Sequence, residues 1–226
     1  MKDEHTMNHE SVKGIAAQLS CPSGPKGLEM AALMNRTNIN MTMSAIVALE
    51  LKNNDRLLEL GHGNCGHLDK IITQAEGIKY HGLETSPLMV QEAKRISFSR
   101  LVEESTTFLH YDGENIPFES TFFDKVMTVN TLYFWKNPLQ LLKEIYRILK
   151  PKGLFTVAFA DKDFMLDLPF TKFGFTLYDK GLFTTLIADT DFNLLSIAAK
   201  REMVETKMGA FVERKYYIAR LEKNVS

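Results

Sequence analysis

Leu57-Leu58-Glu59-Leu60-Gly61-His62-Gly63-Asn64-Cys65-Gly66 decides the fold. An apolar run carrying one acid stops at a glycine-rich turn. Leu68-Asp69-Lys70-Ile71-Ile72 follows, with apolar residues at helical spacing. Strand, tight turn and helix in that order form the first crossover of a doubly wound α/β sheet. Glycines let a backbone approach a ligand closely, and a helix start offers free N–H groups to an anion.

Gly61-x-Gly63-x-x-Gly66 also fits the dinucleotide fingerprint, so its neighbours must discriminate. Glu59 stands two residues before Gly61, at the end of the strand. A carboxylate there repels a pyrophosphate and attracts an ammonium group. S-adenosylmethionine carries an amino group and no phosphate; NAD has the reverse. Here the chain resembles the class I S-adenosylmethionine-dependent methyltransferases, whose first motif reads acid-x-Gly-x-Gly-x-Gly. Glu59, Gly61 and Gly63 match it. Cys65 stands where that family usually has glycine, and Gly66 follows.

Further along, Ile78–Glu84 reads as the second strand. Glu84 ends it, 23 residues after Gly61. An acid about 20 residues beyond such a turn is placed to accept bonds from both ribose hydroxyls. Thr85-Ser86-Pro87-Leu88-Met89 comes next, with Ser86 a natural N-cap and Pro87 a natural first helical residue. The resemblance puts Thr85, Ser86 and Met89 beside the adenine; the plainer reading of Met89 is helix–sheet core. Thr106–Tyr111 forms a third strand, ending at Asp112-Gly113-Glu114. Ile116-Pro117-Phe118 and Phe123-Asp124 follow. This looks like the second signature of the family, in which Asp112 and the backbone at Gly113 would meet the adenine. Phe118 and Phe123 should lock the turn into the core.

Lys125–Asn130 is the fourth strand, and ligands of open α/β sheets sit beyond the strands' carboxyl ends. Asn130 and Tyr133 are therefore expected near the methyl group. Trp135 either lines the pocket or anchors its loop. Asn137-Pro138 opens a helix with Leu141, Leu142, Ile145, Ile148 and Leu149 on one face, ending at Lys150-Pro151-Lys152-Gly153. Leu154–Ala160 is then an apolar run, as for a strand buried on both faces. That helix, turn and strand together look like a further signature of the family.

The ends are read by pattern alone. Residues 8–20 form an amphipathic helix, and Cys21–Pro25 breaks it. A second helix is expected over Lys26–Asn35 and a third from Asn40 or Thr42. In the family such helices fold over the substrate, and Met30, Met34, Met41 and Met43 supply an adaptable surface or simply pack. Residues 161–177 are aromatic and irregular, a substrate-side loop or short helix. Tyr178–Asp189 reads as a helix, and Asn193–Ala199 with Val212–Leu221 as an antiparallel pair.

Together these imply an α/β, doubly wound, mostly parallel seven-stranded sheet, order 3-2-1-4-5-7-6, last strand antiparallel, with an N-terminal helical cap. The expectation is one domain over residues 1–226, divided into a cap (1–52), a cofactor core (53–160) and a substrate-side end (161–226). The cofactor residues are Glu59, Gly61, Gly63, Cys65, Glu84, Thr85, Ser86, Met89, Asp112, Gly113 and Asn130. The cofactor is S-adenosyl-L-methionine, and its partner a small-molecule methyl acceptor.

The chain's 226 residues are 45% apolar and 24% charged, with net charge −1. That is ordinary globular composition without the basic excess that grips nucleic acid. No run approaches the ~18 apolar residues of a membrane span, and Met1–His5 leads into no apolar signal core. A cytoplasmic protein is expected. Cys21 and Cys65 make no disulfide framework, and no Cys/His spacing suggests a metal. His62 and His67 are read as exposed residues near the pocket mouth. His110 and Tyr133 could act as bases but are better read as structural, so no catalytic residue is named. An NAD-dependent oxidoreductase and a non-catalytic cofactor-binding relative are the competing readings. A homodimer is left open.

Overall fold

The computed structural model describes residues 9–100, 102–205 and 211–225. The Met1–His5 stretch lies outside them. Seven strands form one sheet in the order β3-β2-β1-β4-β5-β7-β6. They are β1 (Arg56–Leu60), β2 (Lys79–Glu84), β3 (Thr106–His110), β4 (Phe123–Val129), β5 (Leu149–Ala160), β6 (Phe192–Glu205) and β7 (Phe211–Lys223). The first five pair in parallel, and β7 runs antiparallel to both neighbours. The expected order and sense both hold.

Strand β1 lies between β2 and β4, where the winding reverses. Its alternation divides the core. Leu58 and Leu60 join the cluster that includes Leu141, Ile145 and Ile148 of α5 (Pro138–Ile148). Leu57 joins the other cluster, with Met41, Ala45 and Ile46 of α2 (Gly24–Leu49). All three leucines are fully buried. With a side-chain period of two, Glu59 shares Leu57's face and points toward the α2 side. Phe118 and Phe123 meet edge to face at 4.9 Å and lock their turn as expected.

Three differences from the sequence reading have physical reasons. Helix α2 is one helix of 26 residues, not two. No proline or glycine interrupts Leu28–Leu49, so the helix runs through Asn40 and Thr42, and other polar residues along it bond to distant parts of the fold. Asn35 Nδ2 donates to Asn64 Oδ1 at 2.9 Å, and Asn38 Oδ1 accepts from Arg214 Nη1 at 3.0 Å. Strand β6 runs six residues past Ala199. Its Lys200-Arg201-Glu202 tract breaks the apolar pattern, but Arg201 pairs with Glu213 and Glu202 with Arg214 across the ribbon. Strand β5 begins at Leu149, because Lys152 takes a left-handed φ of 65° and the chain returns at once to strand.

The aromatic stretch 161–177 holds α6 (Lys162–Leu166) and a 3-10 turn (Pro169–Lys172). The remaining helices are α1 (His9–Ser20), α3 (Leu68–Ile72), α4 (Pro87–Ser99) and α7 (Lys180–Ala188). Among the described residues no helix is long and apolar enough to cross a membrane.

Candidate active site

Two adjoining cavities lie beyond the carboxyl ends of β1, β2 and β4, under α1 and α2. The first encloses about 430 Å³ and is lined by Glu59, Gly61, Gly63, Glu84, Gly113 and Asn130, among others. That is within the ordinary range for a small-molecule pocket, roughly 300–1,000 Å³. The second, about 520 Å³, is walled by Leu33, Phe164, Met165, Leu168, Phe175 and neighbours. Leu19, Met34, Asn38, Asn130 and Phe134 line both.

The glycine turn is held from below. Gly61 N–H donates to Leu83 O at 2.8 Å, and Gly63 N–H to Glu84 Oε2 at 2.9 Å. Gly61 has φ 71°, and a Cβ there would collide with Thr131 Cγ2. Gly61→Ala is therefore expected to destabilise the fold by about 1–3 kcal/mol. Urea unfolding checks this, and an unchanged midpoint would contradict it. From above, Asn64 Oδ1 receives both Asn35 Nδ2 and Gly66 N–H, so α2 sits directly on the loop.

Glu84 is 5% exposed and accepts three backbone N–H bonds, from Gly63, Thr85 and Ser86. A carboxylate offers about four lone-pair directions. One on Oε2 is left for a ligand.

Glu59 is 2% exposed and sits in a closed network. Tyr80 O–H donates to its Oε2 at 2.6 Å, and His67 Nε2 lies 2.9 Å from the same oxygen and 3.1 Å from the other. Burial works against the charge on Glu59, but His67 and the Tyr80 hydroxyl outweigh it and hold the carboxyl below its ordinary value. Burial likewise opposes charge on His67, and Glu59 outweighs it and raises the imidazole. The two form an ion pair. Cys65 Sγ bonds Tyr80 Oη at 3.3 Å, and burial pushes its thiol well up. Glu59, Cys65 and His67 place their ligand atoms within 4.8 Å of one another, a metal-capable cluster. Spacing hid it, because its members come from a strand, a loop and a helix start.

The two histidines correct the sequence reading. His62 is 4% exposed, and neither ring nitrogen has a partner among the described residues. Its ring meets Phe108 edge to face, and burial holds it below its ordinary pKa, hence neutral. His67 is pinned by Glu59 rather than solvated. His62 is buried and His67 half-buried against the first cavity, because the turn folds back over the sheet.

The remaining expected residues divide. Thr85, Gly113 and Asn130 line the first cavity with the acids and glycines. Cys65, Ser86 and Met89 do not, being fully buried beneath it. Ser86 Oγ donates to Pro22 O at 2.5 Å and accepts from Met89 N–H, capping α4. Asp112 is exposed and outside the lining. Its carboxylate accepts from Glu114 N–H, Asn115 N–H and Asn115 Nδ2, which hold it down to about 2. Tyr133 Oη accepts from Ala160 N–H and donates to Asn130 Oδ1 at 3.0 Å, and burial raises its pKa. His110 is exposed, bonded to Thr85 O at 3.1 Å. Trp135 does both things expected of it, lining the first cavity and donating to Thr131 Oγ1 at 3.1 Å. Met30 and Met34 line the apolar cavity, while Met41 is core. His62 and His67 line the site, near which they were expected, and Asn35, Asn38 and Tyr111 also line it and were not foreseen.

The two cysteines differ in a way reagents can read. Cys21 is exposed and Cys65 buried. A disulfide reagent such as Ellman's is expected to modify one thiol in the native protein and the second only on unfolding. Two fast thiols under native conditions would contradict the packing of the loop.

Comparison with known proteins decides between the ligand classes. Residues 58–157 match the family model described as "Methyltransferase domain". That match spans 100 of the chain's 226 residues, from β1 into β5. The uncharacterized methyltransferase YdaC of Bacillus subtilis is 27% identical over 121 residues, covering 54% of this chain and 65% of that protein. The biotin biosynthesis bifunctional protein BioHC of Teredinibacter turnerae is 33% identical over 119 residues, covering 50% of this chain and 20% of that one. The chain thus spans less than two thirds of these relatives. In structure, the putative methyltransferase complexed with the Haloferax volcanii Trm112 activator superposes with TM-score 0.76 at 17% identity. That match covers 94% of this chain and 99% of the other. At that identity the likeness is one of fold.

Proposed function

We propose that this methyltransferase domain transfers a methyl group from S-adenosyl-L-methionine to a small-molecule acceptor. The observation that carries the reading is the meeting of Gly61–Gly66, Glu84 and Asn130 around a cavity that opens onto a second, apolar one. The residues fit the cofactor. Glu84 puts a carboxylate on the wall where a dinucleotide would need its phosphates received, while Glu59 on the same wall is already paired with His67. Glu84's free lone pair suits a ribose hydroxyl. The unpartnered His62 nitrogens are buried polar atoms for a ligand or its water to satisfy.

Gly61, Gly63, Glu84, Thr85, Gly113 and Asn130 are read as direct contacts, and Cys65, Ser86 and Met89 as support beneath them. Asp112 shapes the turn that presents Gly113. Glu59 braces the loop through Tyr80 and His67. The chain is read as one methyltransferase domain capped by α1 and α2, acting in the cytoplasm.

When bound, S-adenosylmethionine supplies an electrophilic methyl group on a sulfonium. The chain's part is placement. Holding two reactants in line can supply up to ~7–11 kcal/mol of a barrier. The apolar second cavity excludes water from the acceptor, and Tyr133, with its hydroxyl already engaged, orients Asn130 rather than moving a proton. The test is incubation of the full chain with methyl-labelled S-adenosylmethionine and the small-molecule fraction of a cell extract. Label in a small-molecule product is expected. Tight cofactor binding with no transfer would favour a non-catalytic relative.

A further inference from the structure

Asn38 and Asn130 line both cavities. Their side-chain oxygens are both committed. A guanidinium has N–H donors only, so the atom of Asn38 facing Arg214 Nη1 at 3.0 Å must be its oxygen. Tyr133 Oη accepts from Ala160 N–H, and its own hydrogen goes to Asn130 Oδ1 at 3.0 Å, the nearer of its two acceptors, with Ala160 O at 3.5 Å. Each amide therefore keeps its NH₂ group for something else. Among the described residues the Asn38 nitrogen has no partner, and that of Asn130 has only Met41 Sδ at 3.6 Å, a weak acceptor.

Among the described residues the rest of the apolar cavity offers an anion no unpaired cation, since Arg214 is paired with Glu202. Arg214 is 6% exposed, and besides Asn38 it donates to Glu202 Oε1, at 3.0 and 2.7 Å, and to Thr37 O at 2.6 Å, which engages four of its five N–H groups. Asp167 and Glu205 are exposed acids among the lining residues, which disfavour an anion. Among the described residues no histidine, cysteine or lysine lines this cavity. Its walls are aliphatic, thioether and aromatic.

We infer that the methyl acceptor is an uncharged, largely apolar molecule whose reacting end carries a hydrogen-bond-accepting oxygen, received by the amide N–H groups of Asn38 and Asn130. This rests on the methyltransferase reading, since that reading makes the apolar cavity the acceptor's place. Arg214 and Tyr133 are then positioning residues. Each turns an asparagine so that the junction presents donors and no acceptor.

The test is a binding panel of one shape and four polarities: naphthalene, 2-naphthol, 2-naphthoate and 2-naphthylmethylammonium. Affinities are read by ligand-observed NMR on the full chain, with and without S-adenosylhomocysteine. 2-Naphthol is expected to bind about tenfold tighter than naphthalene, the worth of one well-made hydrogen bond, and both charged probes more weakly than 2-naphthol. Asn38→Asp keeps an oxygen for Arg214 but replaces the donor by an acceptor. It should reduce the naphthol-to-naphthalene ratio to about one to two, with naphthalene affinity unchanged. If that variant is unfolded by circular dichroism, Asn130→Asp, which keeps an acceptor for Tyr133, serves the same purpose. Equal affinities, preference for a charged probe, no binding at all, or a ratio that survives the substitution would each overturn the inference. Failure of S-adenosylhomocysteine to bind, with the panel order intact, would instead count against the cofactor reading.

Discussion

Glu59→Ala is expected to destabilise the protein by about 3–5 kcal/mol, the cost of leaving one member of a buried ion pair behind. The carboxylate is 2% exposed and bonded to both Tyr80 and His67. Its loss strands a buried hydroxyl and a buried imidazole beneath the glycine turn. The pH dependence identifies the cause. Glu59 has its folded pKa lowered, so its contribution is present above the ordinary carboxyl value of 4.5 and is lost as pH falls through the folded value. His67 has its folded pKa raised, so its contribution is complete below 6.5 and is lost as pH rises through the folded value. The pair therefore stabilises most between about pH 4.5 and 6.5. In the variant, His67 has burial without its anion and prefers to be neutral. Stability then rises with pH through this range, opposite to the native slope above 6.5. Urea unfolding across pH 4–9 reads both. A variant with the native alkaline slope would show that the pair is not formed.

The second large effect belongs to Glu84. Glu84→Ala should lower affinity for S-adenosylhomocysteine about 100-fold or more and destabilise the fold by about 2–3 kcal/mol. Three backbone N–H groups, at Gly63, Thr85 and Ser86, depend on this one carboxylate. Hydrogen bonds to a charged acceptor are worth about 1.5–3 kcal/mol each, though not additively. Losing them frees the loop that would contact the ligand and removes an acceptor for it. Glu84→Gln separates the two roles. One amide oxygen can still receive Thr85 and Ser86, while its NH₂ faces the Gly63 N–H. An intermediate loss, about tenfold, is expected. Calorimetric titration measures the first quantity and urea unfolding the second. An unchanged dissociation constant for Glu84→Ala would remove Glu84 from the site.

Much of this was legible because the sheet imposes strict rules on its strands. The Gly61–Gly66 turn, the acid ending β2 and the helix α5 with its apolar face were each readable locally, and the order of seven strands is the one that the family resemblance implied. What stayed hidden was side-chain destination. Asn40 and Thr42 look like helix starts when read locally, yet α2 runs through them. The polarity of Asn35 and Asn38 in the same helix is explained by Asn64 and Arg214, 29 and 176 residues away. Glu59 was legible as an acid at a strand end, but not as His67's partner, since that contact depends on how the turn folds back. Asp112 shows the limit of a motif. The residue type is where the pattern wants it, and its carboxylate closes a turn. One signal was available and unused: polar, helix-poor residues inside an otherwise apolar helix mark positions that face something other than the core.

Isothermal calorimetry of the full chain against S-adenosylmethionine and against NAD tests the central claim most directly. Saturable binding of S-adenosylmethionine at one site per chain, with no heat of binding from NAD, is the result these residues predict. Binding of NAD without S-adenosylmethionine would mean that the carboxylates at 59 and 84 do not govern what the glycine turn receives.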